Sequence, residues 1–225
     1  MGGILSNSPI SWLLAGNFEQ FALNILYLLP ALVIAISFHE FAHAWAANKM
    51  GDPTAKNLGR MTLDPTKHFD LFGIITFLFI GFGWGKPVPT NPRNYDNYKK
   101  GNIVVALSGV TMNLILSFVF YIILFLIFRV FGAQSEIIFN IIYRIIIINL
   151  VLLFFNLIPI PPLDGHHLVK GFIARRSQRF YFAYQRYGFL VLMALLFLTP
   201  WVRYALWFLV DKVVYVYDAF FGLFI

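Results

Sequence analysis

Four stretches of this chain are each long and apolar enough to cross a bilayer as a helix: about Phe21 to Ala47, Ile103 to Val130, Ile137 to Ile158 and Tyr187 to Val210. A span needs roughly 20 residues, and lipid offers a backbone no hydrogen bonds, so these stretches call for a helical bundle. Pro200 should kink or end the last of them. Only 12% of residues are charged and the mean hydropathy is +0.75, against about 25% charged in a soluble domain. The expected fold class is an all-α polytopic membrane protein, read as one membrane-embedded domain over residues 1–225.

A fifth apolar run, Leu71 to Gly83, is too short to span and carries three glycines. It reads as a re-entrant segment or a short β strand pair. Prolines 87, 89 and 92 follow it, forbidding a helix from Trp84 to Pro92 and favouring extended chain with an open edge. No internal repeat, low-complexity tract or soluble accessory domain is visible.

Basic residues set the orientation. The connections between the first and second spans and between the third and fourth hold 13 of the 17 lysines and arginines. The positive-inside rule puts both of those connections in the cytoplasm and both termini outside, so the first and third spans run inward. The formal charge of +7 is therefore a feature of topology, with a basic inner surface suited to anionic lipid. No basic stripe with interleaved aromatics marks a nucleic-acid surface. The first twenty residues lack a basic n-region and a cleavage site, so the amino terminus is expected to be retained.

Two histidines and a glutamate, His39, Glu40 and His43, lie inside the first span. Ionisable groups there are rare and usually functional. With this composition a chance H-E-x-x-H has a probability of about 0.0015. Residues four apart share a helix face, so both imidazoles can reach one Zn²⁺, and Glu40, about 100° round the axis, stands beside the open position as a general base. The chain has no cysteine, so any metal must be held by His, Asp or Glu. Asp164, after the third span, reaches the same cytoplasmic depth as the histidines if both spans run inward. Two His and one Asp leave a fourth tetrahedral position, the pattern of a catalytic site.

Other polar residues are ambiguous from sequence. Asp164-Gly165 is also a common turn or cap. Prolines 159, 161 and 162 should unwind the third helix, freeing backbone that must line a cavity or bind something. Asn156 and Asn113 are candidates to bind substrate or a developing oxyanion, although asparagines also tie membrane helices together. His68 reads as a loop hydrogen bonder. His166 and His167 are spare ligands or, more simply, groups with a non-metal role.

Five motifs in order carry a family resemblance: Phe38 to Ala44, Gly59 to His68, Gly83 to Pro89, Ser108 to Asn113, and Asn156 to Gly165. Together they resemble the site-2 protease family of intramembrane zinc metalloproteases, peptidase family M50, in a short form without PDZ or CBS domains. The resemblance covers Phe21 to Val210. It implies one Zn²⁺ held by His39, His43 and Asp164, with Glu40 as base and Asn156 holding substrate. Asp64 stands where the family usually has asparagine, and Gly109-Val110 replaces a common Gly-Pro.

The expected function is hydrolysis of peptide bonds in or near transmembrane segments of membrane proteins, on the cytoplasmic side of a cell membrane. A substrate helix must first unwind, and the edge from Trp84 to Thr90, including Pro87, could hold it extended by strand addition. With no appended filter, regulation is expected to come from a membrane partner or from a preceding cut in the substrate. A metal or proton transporter is the alternative; it would need a second site along a path, and the sequence offers one cluster. A silent relative that binds helices without cutting has no need of Glu40.

Overall fold

The computed structural model describes residues 9–80 and 83–223, and the described chain is helical with no β-sheet. Its helices in order are α1 (Pro9–Leu14), α2 (Phe18–Lys49), α3 (Thr54–Asn57), α4 (Leu71–Ile80), α5 (Tyr98–Phe125), α6 (Glu136–Asn156), α7 (His166–Arg176), α8 (Gln178–Leu198) and α9 (Trp201–Gly222), and α5 continues as a π turn through Val130. Four are long and apolar enough to cross a membrane: α2, α5 with its π turn, α6 and α8. Side-chain caps start all four. Asn17, Asn97, Ser135 and Ser177 each accept from the backbone N–H three residues on, which answers donors that a helix leaves open at its N-terminus.

The bundle centre is α2, α5 and α6. α2 buries a face of small residues, Ala31, Ala35, Ser37, Ala42, Ala44, Ala46 and Ala47. Small residues are the usual means of bringing membrane helices close, since lipid gives no hydrophobic drive to pack. α5, α6 and α9 supply the bulky core of Val110, Leu124, Ile142, Ile146, Ile147, Leu150, Leu153 and Val210. His39 meets Asn113 and His43 meets Val105, so α2 and α5 run antiparallel. Ser117 meets Tyr217, Tyr121 meets Asp218, and Phe125 stacks near Phe221, so α9 runs parallel to α5. Outward residues such as Ile115, Phe118, Val119 and Leu190 are exposed and apolar, as a lipid-facing surface requires.

Two expectations need correction. The run from Leu71 forms the helix α4 and not a strand pair, with residues 81 and 82 of that run outside the described residues. The only bridge among the described residues is an isolated antiparallel one between Phe69 and Gly85. At ten residues α4 is about 15 Å long, half the hydrocarbon core. The fourth apolar stretch also differs: it is divided between α8, which begins at Gln178 instead of Tyr187, and α9, which follows Pro200. Pro200 ends the helix, which it does by lacking the N–H the next turn requires.

Candidate active site

The group that could hold a metal, His39, His43 and Asp164, is built by one helix and one loop. α2 presents His39 and His43 on its buried face, about 15 and 9 Å before its C-terminal end. α6 stops at Asn156, ahead of the prolines, and the chain doubles back so that Gly165 N–H donates to Asn156 O at 2.7 Å. A side chain at Gly165 would meet the carbonyl oxygens of Leu157 and Ile158 at 2.4 and 2.6 Å. The loop therefore closes only with glycine there, and closing it delivers Asp164 to the histidines.

His39 Nε2 and His43 Nε2 lie 3.0 Å apart, and Asp164 Oδ2 lies 3.2 and 3.1 Å from them. The other ring nitrogens are engaged outward: His39 Nδ1 donates to Asn113 Oδ1 at 2.6 Å and His43 Nδ1 to Val105 O at 2.7 Å. Asn113 Nδ2 donates to Asn149 Oδ1 and to Ala35 O, at 2.9 and 3.2 Å, and Asn149 Nδ2 donates to Ile145 O at 2.8 Å. This chain fixes each amide, leaving Oδ1 of Asn113 to accept from His39, so the tautomer follows from the network.

Both Nε2 atoms are then bare acceptors. With the Asp164 carboxylate they make three acceptors around one point with no donor among them, an arrangement that calls for a cation. Four ligands on zinc at bonds of about 2.05 Å are about 3.3 Å apart in a tetrahedron, so 3.0 to 3.2 Å suits three ligands and one open position. Zinc fits this donor set. Gly109 on α5 leaves the room: a Cβ there would stand 2.5 Å from His43 Nε2 and 2.6 Å from His39 Cε1.

Beside the cluster lies a cavity of about 170 Å³ lined by Glu40, His43, Asp164, Pro87, Val88 and His167 among others. Glu40 Oε2 accepts from Val88 N–H at 2.8 Å, so the proline-rich segment orients the carboxylate. That segment is extended, as its prolines demand, and it is tied on several sides. Arg60 Nη2 donates to the carbonyls of Lys86 and Pro87 at 2.8 and 3.2 Å, Lys86 N–H donates to His68 O, and Asn91 N–H donates to Asp52 Oδ2 at 2.6 Å.

Of the sequence candidates, Glu40, His43, Asp164 and Pro87 line the cavity, and His39 joins His43 and Asp164 in the group that could hold a metal. Asn113 is fully buried behind His39 and bonded to it. Asn156 caps the end of α6, with its side-chain N–H donating to Leu152 O, and Trp84 is half exposed. His68 is fully buried and hydrogen-bonds Thr62 O at 2.8 Å. His167 lines the cavity; burial, with His166 and Lys170 beside it, pushes it down to about 3, so its ring is neutral.

Sequence reasoning missed Asp52, Asn149 and Arg60. Asp52 receives hydrogen bonds from Thr54, Asn91 and Asn94. Burial alone would raise its pKa, but these bonds outweigh it and hold the carboxyl below the usual range. The signal available for Asn149 was an amide inside a span otherwise made of isoleucine and leucine.

The sequence matches the model of peptidase family M50 over residues 27–137 and 130–199. It is 37% identical over 199 residues to YwhC of Bacillus subtilis, covering 85% of this chain and 89% of that protein. It is 26% identical over 203 residues to Rip2 of Mycolicibacterium smegmatis, covering 87% and 76%, and 27% identical over 206 residues to Rip2 of Mycobacterium tuberculosis strain H37Rv, covering 85% and 74%. Each of these relatives is named as a zinc metalloprotease. No solved structure matches the chain.

Proposed function

The chain belongs to peptidase family M50 and is a zinc metalloprotease of the membrane, and from that premise we propose that His39, His43 and Asp164 are its zinc ligands and Glu40 its general base. The observation that carries this is the convergence of three acceptors, with no donor, beside a cavity that also holds Glu40. A bound Zn²⁺ supplies Lewis acidity and lowers the pKa of water toward about 7. Glu40, held by Val88 N–H, takes a proton from the attacking water and passes it to the leaving amine nitrogen.

The segment from Trp84 to Thr90, with Pro87 at the cavity, receives the substrate as an extended strand. Asn156 holds the reacting peptide from the end of α6, and Asn113 acts through His39 by fixing its tautomer. The active site faces the cytoplasm and both termini lie outside. Support comes from the basic loops and from helix directions: α2 antiparallel and α9 parallel to α5 put Phe18 and Gly222 at one end of the bundle. We assign regulation to a membrane partner or to a preceding cut in the substrate. Neither the family match nor the named relatives support transport, and among the described residues one group can hold a metal.

The test is metal dependence traced to named ligands. Chelation should stop cleavage of a transmembrane test substrate, added zinc should restore it, and His39→Ala and Asp164→Ala should each lose the bound zinc. Full zinc retention by both variants would remove the ligand assignment.

A further inference from the structure

The cavity beside the metal ligands has a wall that the roles above leave unused, formed by His167 of α7 and Asn102 of α5. His167 is fixed close to the chemistry, because its backbone N–H donates to Asp164 O at 2.9 Å and places ring and ligand on one turn. One turn further along α7, Lys170 Nζ lies 3.0 Å from His167 Nδ1. An ammonium has donors only, so Nδ1 accepts and the ring proton resides on Nε2.

Lys170 is itself anchored across the helix interface. Its Nζ donates to Asn102 Oδ1 at 2.6 Å, and Asn102 Nδ2 is occupied with Tyr98 O at 2.7 Å, which leaves Oδ1 for the lysine. The bonds run from α5 through Lys170 to His167 and fix both tautomer and orientation.

We propose that His167 is a catalytic residue whose Nε2–H donates to the oxygen of the scissile carbonyl as negative charge develops there. Attack on the carbonyl carbon moves the C=O π pair onto oxygen, and the imidazole N–H stabilises that charge without giving up its proton. A cavity-wall donor held in place before the charge develops acts in the transition state more than in the ground state. Lys170 and Asn102 are positioning residues. The inference rests on the peptidase reading, in which Glu40, His43 and Asp164 face this same cavity.

The test uses the full-length, zinc-loaded protein with a transmembrane test substrate, run beside Glu40→Gln. His167→Phe should lower kcat by about 100-fold, with KM unchanged within about twofold and zinc content equal to wild type. His167→Gln, which keeps an N–H of similar reach, should recover to within about tenfold of wild type. Independently, ¹⁵N spectra of the wild-type protein should show His167 protonated at Nε2, and Lys170→Met should shift that signal and lower kcat. Wild-type kcat in His167→Phe, a loss confined to KM, or a proton on Nδ1 overturns the proposal; where His167→Phe does not fold, the tautomer and the Lys170→Met rate decide it. If wild type cleaves, Glu40→Gln does not and His167→Phe matches wild type, this inference alone fails. Equal product from wild type and Glu40→Gln removes the reading beneath it.

Discussion

Gly109 lies against His43 so closely that a Cβ on it would stand 2.5 Å from the imidazole Nε2. The absence of a side chain on α5 is thus part of the proposed metal site on α2. Gly109→Ala should weaken zinc binding on the order of 100-fold, comparable to losing an outer-shell partner, while alanine gains up to about 1 kcal/mol of helix propensity over glycine. Loss of zinc with an intact fold, read by metal content and thermal melting, is the expected pair of results. Wild-type zinc affinity would show that the helices separate at no cost.

Asn113 is the second element that reaches the metal indirectly, through its 2.6 Å bond from His39 Nδ1. Asn113→Ala should reduce zinc affinity about 10- to 100-fold, measured by chelator competition. Asn149→Ala, one bond further away, should have a smaller effect in the same direction. An equal or larger effect at Asn149 would mean that helix packing, not the imidazole tautomer, is what the amides supply.

Asp52 gives the fold a pH dependence. Its carboxyl is held below the usual range by hydrogen bonds from Thr54, Asn91 and Asn94 that outweigh the effect of burial. A depressed carboxyl pKa stabilises the fold above its unfolded value of about 3.9, and that stability is lost as pH falls through the folded value. Hydrogen bonds to a charged group contribute about 1.5 to 3 kcal/mol. Wild type should therefore melt above Asp52→Asn at pH 6, and the gap should close on acidification below about pH 4. A gap that does not vary from pH 6 to pH 3 would contradict the linkage.

Orientation can be read in the protein's own background, because the chain has no cysteine. Lys56 and Glu136 are both exposed, at opposite ends of the bundle core. Lys56→Cys should react with an impermeant maleimide only in inverted vesicles, and Glu136→Cys only from outside intact cells. The reverse pattern would place the active site on the outer side.

The helical bundle and the meeting of His39, His43 and Asp164 were legible because both write themselves into local sequence. Apolar length marks α2, α5 and α6, and the i, i+4 spacing of His39 and His43 states its geometry directly. Asp164 could be placed because the prolines after Asn156 end α6 at a depth set by topology. The start of α8 was hidden because Gln178, Arg179, Gln185 and Arg186 dilute its apolar signal. The α4 helix was missed because a short apolar run without a clear period suits strand and helix alike. Asp52, Arg60 and Asn149 act across 26 to 42 residues of chain, and no local pattern announces such partners. His167 was visible as a residue but not as a cavity wall, since its place depends on how α7 returns against α5.

The most direct measurement compares wild type with Glu40→Gln at matched zinc content on a transmembrane test substrate in liposomes. The account predicts cleavage by wild type alone, abolished by chelator and restored by zinc, with both proteins binding the same amount of metal. Equal product from the two proteins would contradict Glu40 as the base, and zinc crossing the liposome wall without cleavage would contradict the peptidase itself.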